Sequence, residues 1–205
     1  MKKLALTACM GAAFLFGAAS CSSENKDSVD QAQETNEQAF EDTSMEDPKI
    51  NQSDFMTRAA SDGMFEIEAG KLAQKMGQNA EVKKFGGQMV TDHEKASKEL
   101  KALAQKKSIT LPDSMSSEHR DKLQSLQSKK GAEFDEEYME AMVDAHEEAV
   151  GLFEDAAEDL EDAEVKAFAA KTLPVLQQHH EHAKKLDETL DNTTGTNTNR
   201  ATPSR

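Results

Sequence analysis

The stretch Ala80–Lys107, AEVKKFGGQMVTDHEKASKELKALAQKK, decides the fold. At about 100° per residue, Val82, Phe85, Gly86, Met89, Ala96, Leu100 and Leu103 share one face, with His93 near its centre. That is an amphipathic helix with a polar residue set in its apolar stripe. Three further segments read the same way. Between Ser53 and Gly77 the stripe is Phe55, Ala59, Phe65, Ala69, Leu72, Ala73 and Met76, with Asp62 and Glu66 inside it and Glu68 outside. Either Asn51 or Ser53 would serve as its N-cap. Between Phe134 and Leu160 the stripe is Tyr138, Met142, Ala145, Ala149, Leu152, Phe153 and Ala156, with His146 on its edge. Between Asp162 and Leu190 it is Val165, Phe168, Ala169, Leu176, Ala183, Leu186 and Leu190, with His179 inside and His180 on the shoulder. Pro174 lies within this last segment and predicts a kink or a division.

Segments of roughly 25 to 29 residues measure about 37 to 43 Å as helices, and short links make neighbours antiparallel. Four amphipathic helices of matched length predict an all-α four-helix bundle over residues 53–190. Ser108–Ser116, with Pro112, is a break, and Glu118–Lys130 predicts an extra short helix between the second and third long ones. No alternating run of β-branched residues marks a strand.

Charge narrows the partners. The 205-residue chain carries a formal charge of −15, and Lys2 and Lys3 are the only charges before Cys21. Beyond them 22 basic residues face 39 acidic ones, near −17. Such a surface repels nucleic-acid phosphates and anionic lipid alike. Cationic ligands stay open.

The first 20 residues read as a secretion signal: a short positive start, then the uncharged run LALTACMGAAFLFGAA from Leu4 to Ala19, too short for an ordinary membrane span. Ala18-Ala19-Ser20 before Cys21 has the order of a lipobox, which predicts cleavage and a lipid anchor on Cys21. Leu6-Thr7-Ala8-Cys9 matches the lipobox letters better, but Cys9 follows only five uncharged residues, too few for a hydrophobic region. Once the signal is removed Cys21 is the single cysteine, so an intrachain disulfide is excluded. Ser22 stands where an Asp would point to inner-membrane retention, which directs the expectation to the outer membrane. Residues 21–52 are rich in Glu, Asp, Ser, Gln and Asn and predict a disordered acidic tether; residues 191–205 predict a disordered tail.

The chemistry concentrates in the histidines. Met89-Val90-Thr91-Asp92-His93-Glu94-Lys95-Ala96 and Met142-Val143-Asp144-Ala145-His146-Glu147-Glu148-Ala149 share the pattern M-V-x-x-H-E-x-A, and His179-His180-Glu181-His182 lies on the last helix. In each repeat Met and His are four apart and stack on one face. Only His119 lies elsewhere. Three helices therefore bring His93, His146 and His179 toward a core, and the remaining one brings Glu66. Asp62, Met89, Met142 and His180 are the neighbouring candidates. A bundle that converges imidazole and carboxylate either satisfies a structural polar network or holds a metal ion.

These segments, together with Phe85, Phe134-Asp135, Tyr138 and Leu173-Pro174-x-Leu176, resemble a ferritin-like family of unknown function often labelled "putative outer membrane protein". The resemblance covers about residues 53–190 and implies a ferritin-like bundle in an exported protein, with His93, His146, His179 and Glu66 at the family's histidine and acid positions. It implies no activity.

A di-iron enzyme would need two Glu-x-x-His units and two further carboxylates. Here Val90, Val143, Leu176 and Gln177 stand three residues before His93, His146, His179 and His180. Oxidoreductase chemistry is therefore the weakest reading, and the sequence leans against an enzyme. The leading expectation is a non-catalytic, envelope-anchored module with a buried His/Glu centre, in stress tolerance or partner binding. The alternative is a metal-binding protein: Met and His suit copper, and histidines with Glu66 suit zinc.

Overall fold

The computed structural model describes residues 26–41 and 46–198. Among them are six helices and no strand: α1 Ser28–Phe40, α2 Glu46–Met76, α3 Ala80–Lys107, α4 Ser117–Ser128, α5 Ala132–Asp159 and α6 Ala163–Thr198. The signal segment and Cys21 lie outside the described residues. Among the described residues no helix is long and apolar enough to cross a membrane.

Local chemistry sets the helix ends. The Asn79 side chain accepts from the Glu81 N–H at 2.8 Å and caps α3, whose other end closes on Ser108 in the left-handed region at φ 58°. Ser116 caps α4 by accepting from the His119 N–H. The short connections 77–79 and 160–162 make hairpins of α2–α3 and α5–α6. In the first hairpin Gly70 and Gly86 let the two backbones meet. A Cβ on either would stand 2.7 Å from the other's carbonyl oxygen.

Each long helix crosses two apolar clusters. Phe55, Leu100, Phe153 and Phe168 belong to one; Phe65, Phe85, Tyr138 and Ala183 belong to the other. This order along the chain shows that α3 and α5 run in the same direction. The chain must therefore return the length of the molecule between them, and it does so through 108–131, where α4 packs on α2 and α5. Glu66, His93, His146 and His179 lie between the two clusters, belonging to neither.

Three boundaries differ from the sequence reading. The acidic tether expected over 21–52 contains a helix, because Ala32, Asn36 and Phe40, four residues apart, form a stripe that buries itself, with α1 packed on α2. Asn36 holds this helix down with two bonds to Thr110, its Nδ2 donating to the carbonyl at 3.0 Å and its Oδ1 accepting from the N–H at 2.8 Å. Composition averaged over thirty residues hides three positions. For the same reason α2 starts at Glu46 rather than after Asn51 or Ser53: with α1 over it, the first turns are covered, and Ser53 donates back to the Ile50 carbonyl at 2.9 Å instead of capping. At the other end α6 continues past Leu190 to Thr198, where a tail was expected. Pro174 does not divide it.

Asp135 fastens the two hairpins together. It is 2% exposed, and its two oxygens accept from the N–H groups of Gln78 and Asn79 at 2.9 and 2.7 Å, so α5 grips the α2–α3 turn. Asp135→Ala leaves both donors unpaired beside a small void, and a loss of about 2–3 kcal/mol is expected in urea unfolding. An unchanged midpoint would remove this fastening from the account.

Candidate metal centre

Each of the four long helices contributes one side chain to the middle layer: Glu66 from α2, His93 from α3, His146 from α5 and His179 from α6, at 2%, 6%, 0% and 1% exposure. The three rings stand 5.4 to 5.6 Å apart, centroid to centroid. The four residues named from the sequence converge.

The hydrogen bonds of this layer have a direction. Each histidine engages one ring nitrogen with a neighbouring oxygen. His93 Nδ1 donates to Glu66 Oε2 at 2.8 Å, His146 Nδ1 donates to the Met142 carbonyl at 2.8 Å, and His179 Nε2 donates to Asp92 Oδ2 at 2.9 Å. All three acceptors lack hydrogen, so each of these nitrogens must carry the proton. What is left over is His93 Nε2, His146 Nε2, His179 Nδ1 and Glu66 Oε1, all buried and all without a hydrogen-bond partner. His146 Nε2 stands 3.4 Å from Glu66 Oε1. With the His146 proton on Nδ1, two lone pairs face each other there. Ligand atoms of His93, His146 and His179 lie within 4.8 Å of one another. One ion with bonds of about 2.0–2.1 Å would bring such atoms to about 3.3 Å apart, so seating it draws the rings inward. Histidines that ligate metals characteristically donate their other N–H to a carboxylate or carbonyl, as all three do here.

Charge in the layer follows from burial and pairing. Burial pushes the Glu66 carboxyl up, but His93 and His146 together pull it below its usual range, so it stays ionised. Burial lowers His93, yet Glu66 outweighs it and holds the ring above the ordinary imidazole range. Burial holds His146 down, and burial followed by the neighbouring His93 pushes His179 down to about 4. At neutral pH the layer holds the ionised Glu66 carboxylate and neutral rings at His146 and His179, and His93 is the ring that takes a second proton most readily.

The remaining candidates sit around this layer. Asp62, one turn from Glu66, lines a cavity of about 30 Å³ beside Glu66 and His93; burial and then Glu66 push it up to about 7. Its ionic neighbour is His119, at 3.8 Å. Met89 and Met142 are fully buried in the apolar cluster, and Met142 serves the centre through its carbonyl. His180 is half-buried outside the triad, with Nε2 unpartnered. His119 stacks on Phe65 at 4.8 Å with Nδ1 3.2 Å from Ser61 Oγ. The sequence reading passed over Asp92 as a site residue. It directly precedes His93, and a residue about 100° off the inward face meets whichever helix is the neighbour, which only the topology reveals.

Fold and centre together define a helical bundle built around three histidines and one carboxylate. The chain belongs to the domain-of-unknown-function family DUF4142, which matches residues 22–186. This agrees with the resemblance to a family lacking an assigned activity. A solved structure, CopM in the Cu(II)-bound form, is similar to it with a TM-score of 0.59 and 19% identity, over 67% of this chain and 96% of CopM. At that identity the likeness concerns the fold alone. No curated protein matches the chain.

Titration of the metal-free protein tests the charge assignment. His146 and His179 are lowered in the fold, so each contributes stability present above the ordinary value of 6.5 and lost as pH falls toward its folded value, about 4 for His179. The raised His93 contributes stability fully present below 6.5 and lost as pH climbs through its folded value. Asp62 opposes the first two, because its raised carboxyl favours the fold at low pH and loses that contribution up to about 7. Urea midpoints of the wild type should therefore rise from pH 4.5 to 6.5. His179→Gln should remove about 1.4 kcal/mol per pH unit from that slope. Parallel profiles for the two proteins would contradict the assignment.

Proposed function

We propose that this domain binds a single divalent transition-metal ion, copper(II) foremost, through Glu66, His93, His146 and His179. The observation that carries the reading is the set of four buried, unpartnered ligand atoms, one from each long helix, with each imidazole oriented by a bond through its other nitrogen. Three nitrogens and one carboxylate oxygen suit copper(II) and zinc, and copper(II) heads the affinity order for such donors. The likeness to CopM in its Cu(II)-bound form supports that choice. Met89 and Met142 lie in the apolar cluster, so imidazole rather than thioether would carry the affinity. We read the two hairpins and their single long crossover as a ferritin-like arrangement, and the module as non-catalytic. Its place would be the outer membrane, through a lipid on Cys21.

Titration of the purified protein with Cu(II) and Zn(II) should give one ion per chain, with Cu(II) tighter. His93→Gln, His146→Gln and His179→Gln should each lower affinity at least tenfold, and the Cu(II) spin-resonance spectrum should show coupling to three nitrogens. Affinity should weaken as pH falls, because a proton on any ligand nitrogen must leave before the ion binds there. No stoichiometric uptake of either metal, combined with destabilised histidine variants, would replace this reading with a purely structural ion-pair network built on Glu66 and His93.

The anchoring is tested separately. Cells fed labelled palmitate should label the wild type and sediment it with membranes, and Cys21→Ser should abolish both. A Cys21→Ser protein still labelled and membrane-bound would refute the anchor.

A further inference from the structure

Three of the four seams around the centre are drawn together by the fold. The Gly70/Gly86 approach brings α2 and α3 close, α4 packs over α2 and α5, and α5 and α6 form a hairpin. The seam between α3 and α6 differs. It holds a cavity of about 90 Å³, room for several waters, whose lining includes Asp92, His93, Val175 and His179. Glu99 and Lys171 also border it and bridge the two helices, with Lys171 Nζ 2.7 and 2.8 Å from the Glu99 oxygens. Two of the four centre residues are thus reachable from one opening.

Asp92 occupies a particular place in that opening. Its side chain is 36% exposed, while its Oδ2 accepts from His179 Nε2, and His179 is buried. One carboxylate therefore faces water and touches the centre. Lys95 and Lys171 flank the same opening with positive charge, so Asp92 and Glu99 are what make it attractive to a cation, and Glu99 is engaged by Lys171.

We propose that the metal ion reaches the centre through the α3–α6 seam, with Asp92 as the first carboxylate it meets and the residue that sets the uptake rate. The inference rests on the metal-binding reading and concerns its kinetics. An ion crossing the seam loses part of its hydration shell, and a carboxylate at the narrowing replaces it. Asp92 then remains on His179 Nε2 and keeps Nδ1 turned inward for the ion. Fixed charge at a cleft raises cation association by one to three powers of ten.

The test is stopped-flow mixing of the purified protein with Cu(II) alone, followed by the copper–imidazole absorbance, with equilibrium titration in parallel. Asp92→Asn keeps a hydrogen-bond acceptor for His179 but removes the charge. It should still bind one ion while taking it up at least about tenfold more slowly. Its rate should also depend less on ionic strength than that of the wild type. Asp155→Asn makes the same charge change on the far side of the molecule and should leave the rate unaltered. Asp92→Asn binding at the wild-type rate, or Asp155→Asn slowing uptake equally, would overturn the seam while leaving the centre intact. A wild-type protein that takes up no copper would overturn both.

Discussion

The structure depends on the Glu66 carboxylate being held ionised in a bundle interior. An isolated charge in such a place costs many kcal/mol, so the surroundings must answer it. Here the hydrogen bond that answers it comes from α3, where His93 Nδ1 lies 2.8 Å from Glu66 Oε2, with the rings of His146 and His179 completing the layer from α5 and α6. A buried charge that needs its partner on another helix fixes the register of the two. Sliding α3 by one turn would place Met89 or Ser97 opposite Glu66, offering no donor in one direction and only an uncharged hydroxyl in the other. The apolar stripes alone tolerate such slips, because Leu, Met and Phe exchange volume with modest penalty. The polar layer is what makes the packing unique.

That layer also explains the division of the core. Apolar side chains pack densely above and below it, and the connections outside serve to keep it shut. The crossover carrying α4 lies over the α2–α5 seam. The N-terminal α1 covers the early turns of α2 and ties down the crossover through Asn36. Asp135 ties α5 to the α2–α3 turn. These ties join segments distant in sequence, so each restrains one hairpin against the other rather than stabilising a helix from within.

Much of this was legible from periodicity. The four stripes placed Glu66, His93, His146 and His179 inward on four different helices, and they meet. Helix position within a turn is a local property, and residue spacing reports it directly. What escaped were properties of pairs. Asp92 belongs to the site because α6 lies beside α3, a fact of topology that spacing within α3 cannot carry. Asp135 looks like any acid in a first helical turn until the α2–α3 turn arrives above it. Asn36, in a segment whose composition reads as unstructured, is informative only once Thr110 is near. His119 was passed over too, and its stacking on Phe65 likewise requires α4 to be laid on α2.

The geometry also separates two kinds of buried histidine. A core histidine that merely satisfies its surroundings has both nitrogens engaged or one at the surface. His119 comes close to that description, with Ser61 on one nitrogen and its ring face on Phe65. In the central layer each ring is anchored through one nitrogen, and its other nitrogen is buried with no partner. Three ring nitrogens and a carboxylate oxygen buried without partners lose the energy each would gain from water. The ion proposed above would give all four atoms one common partner, whereas a single water can serve only some of them. Imidazole nitrogens with a single carboxylate oxygen are donors that suit transition-metal ions better than magnesium or calcium, so the proposal and the geometry ask for the same chemistry.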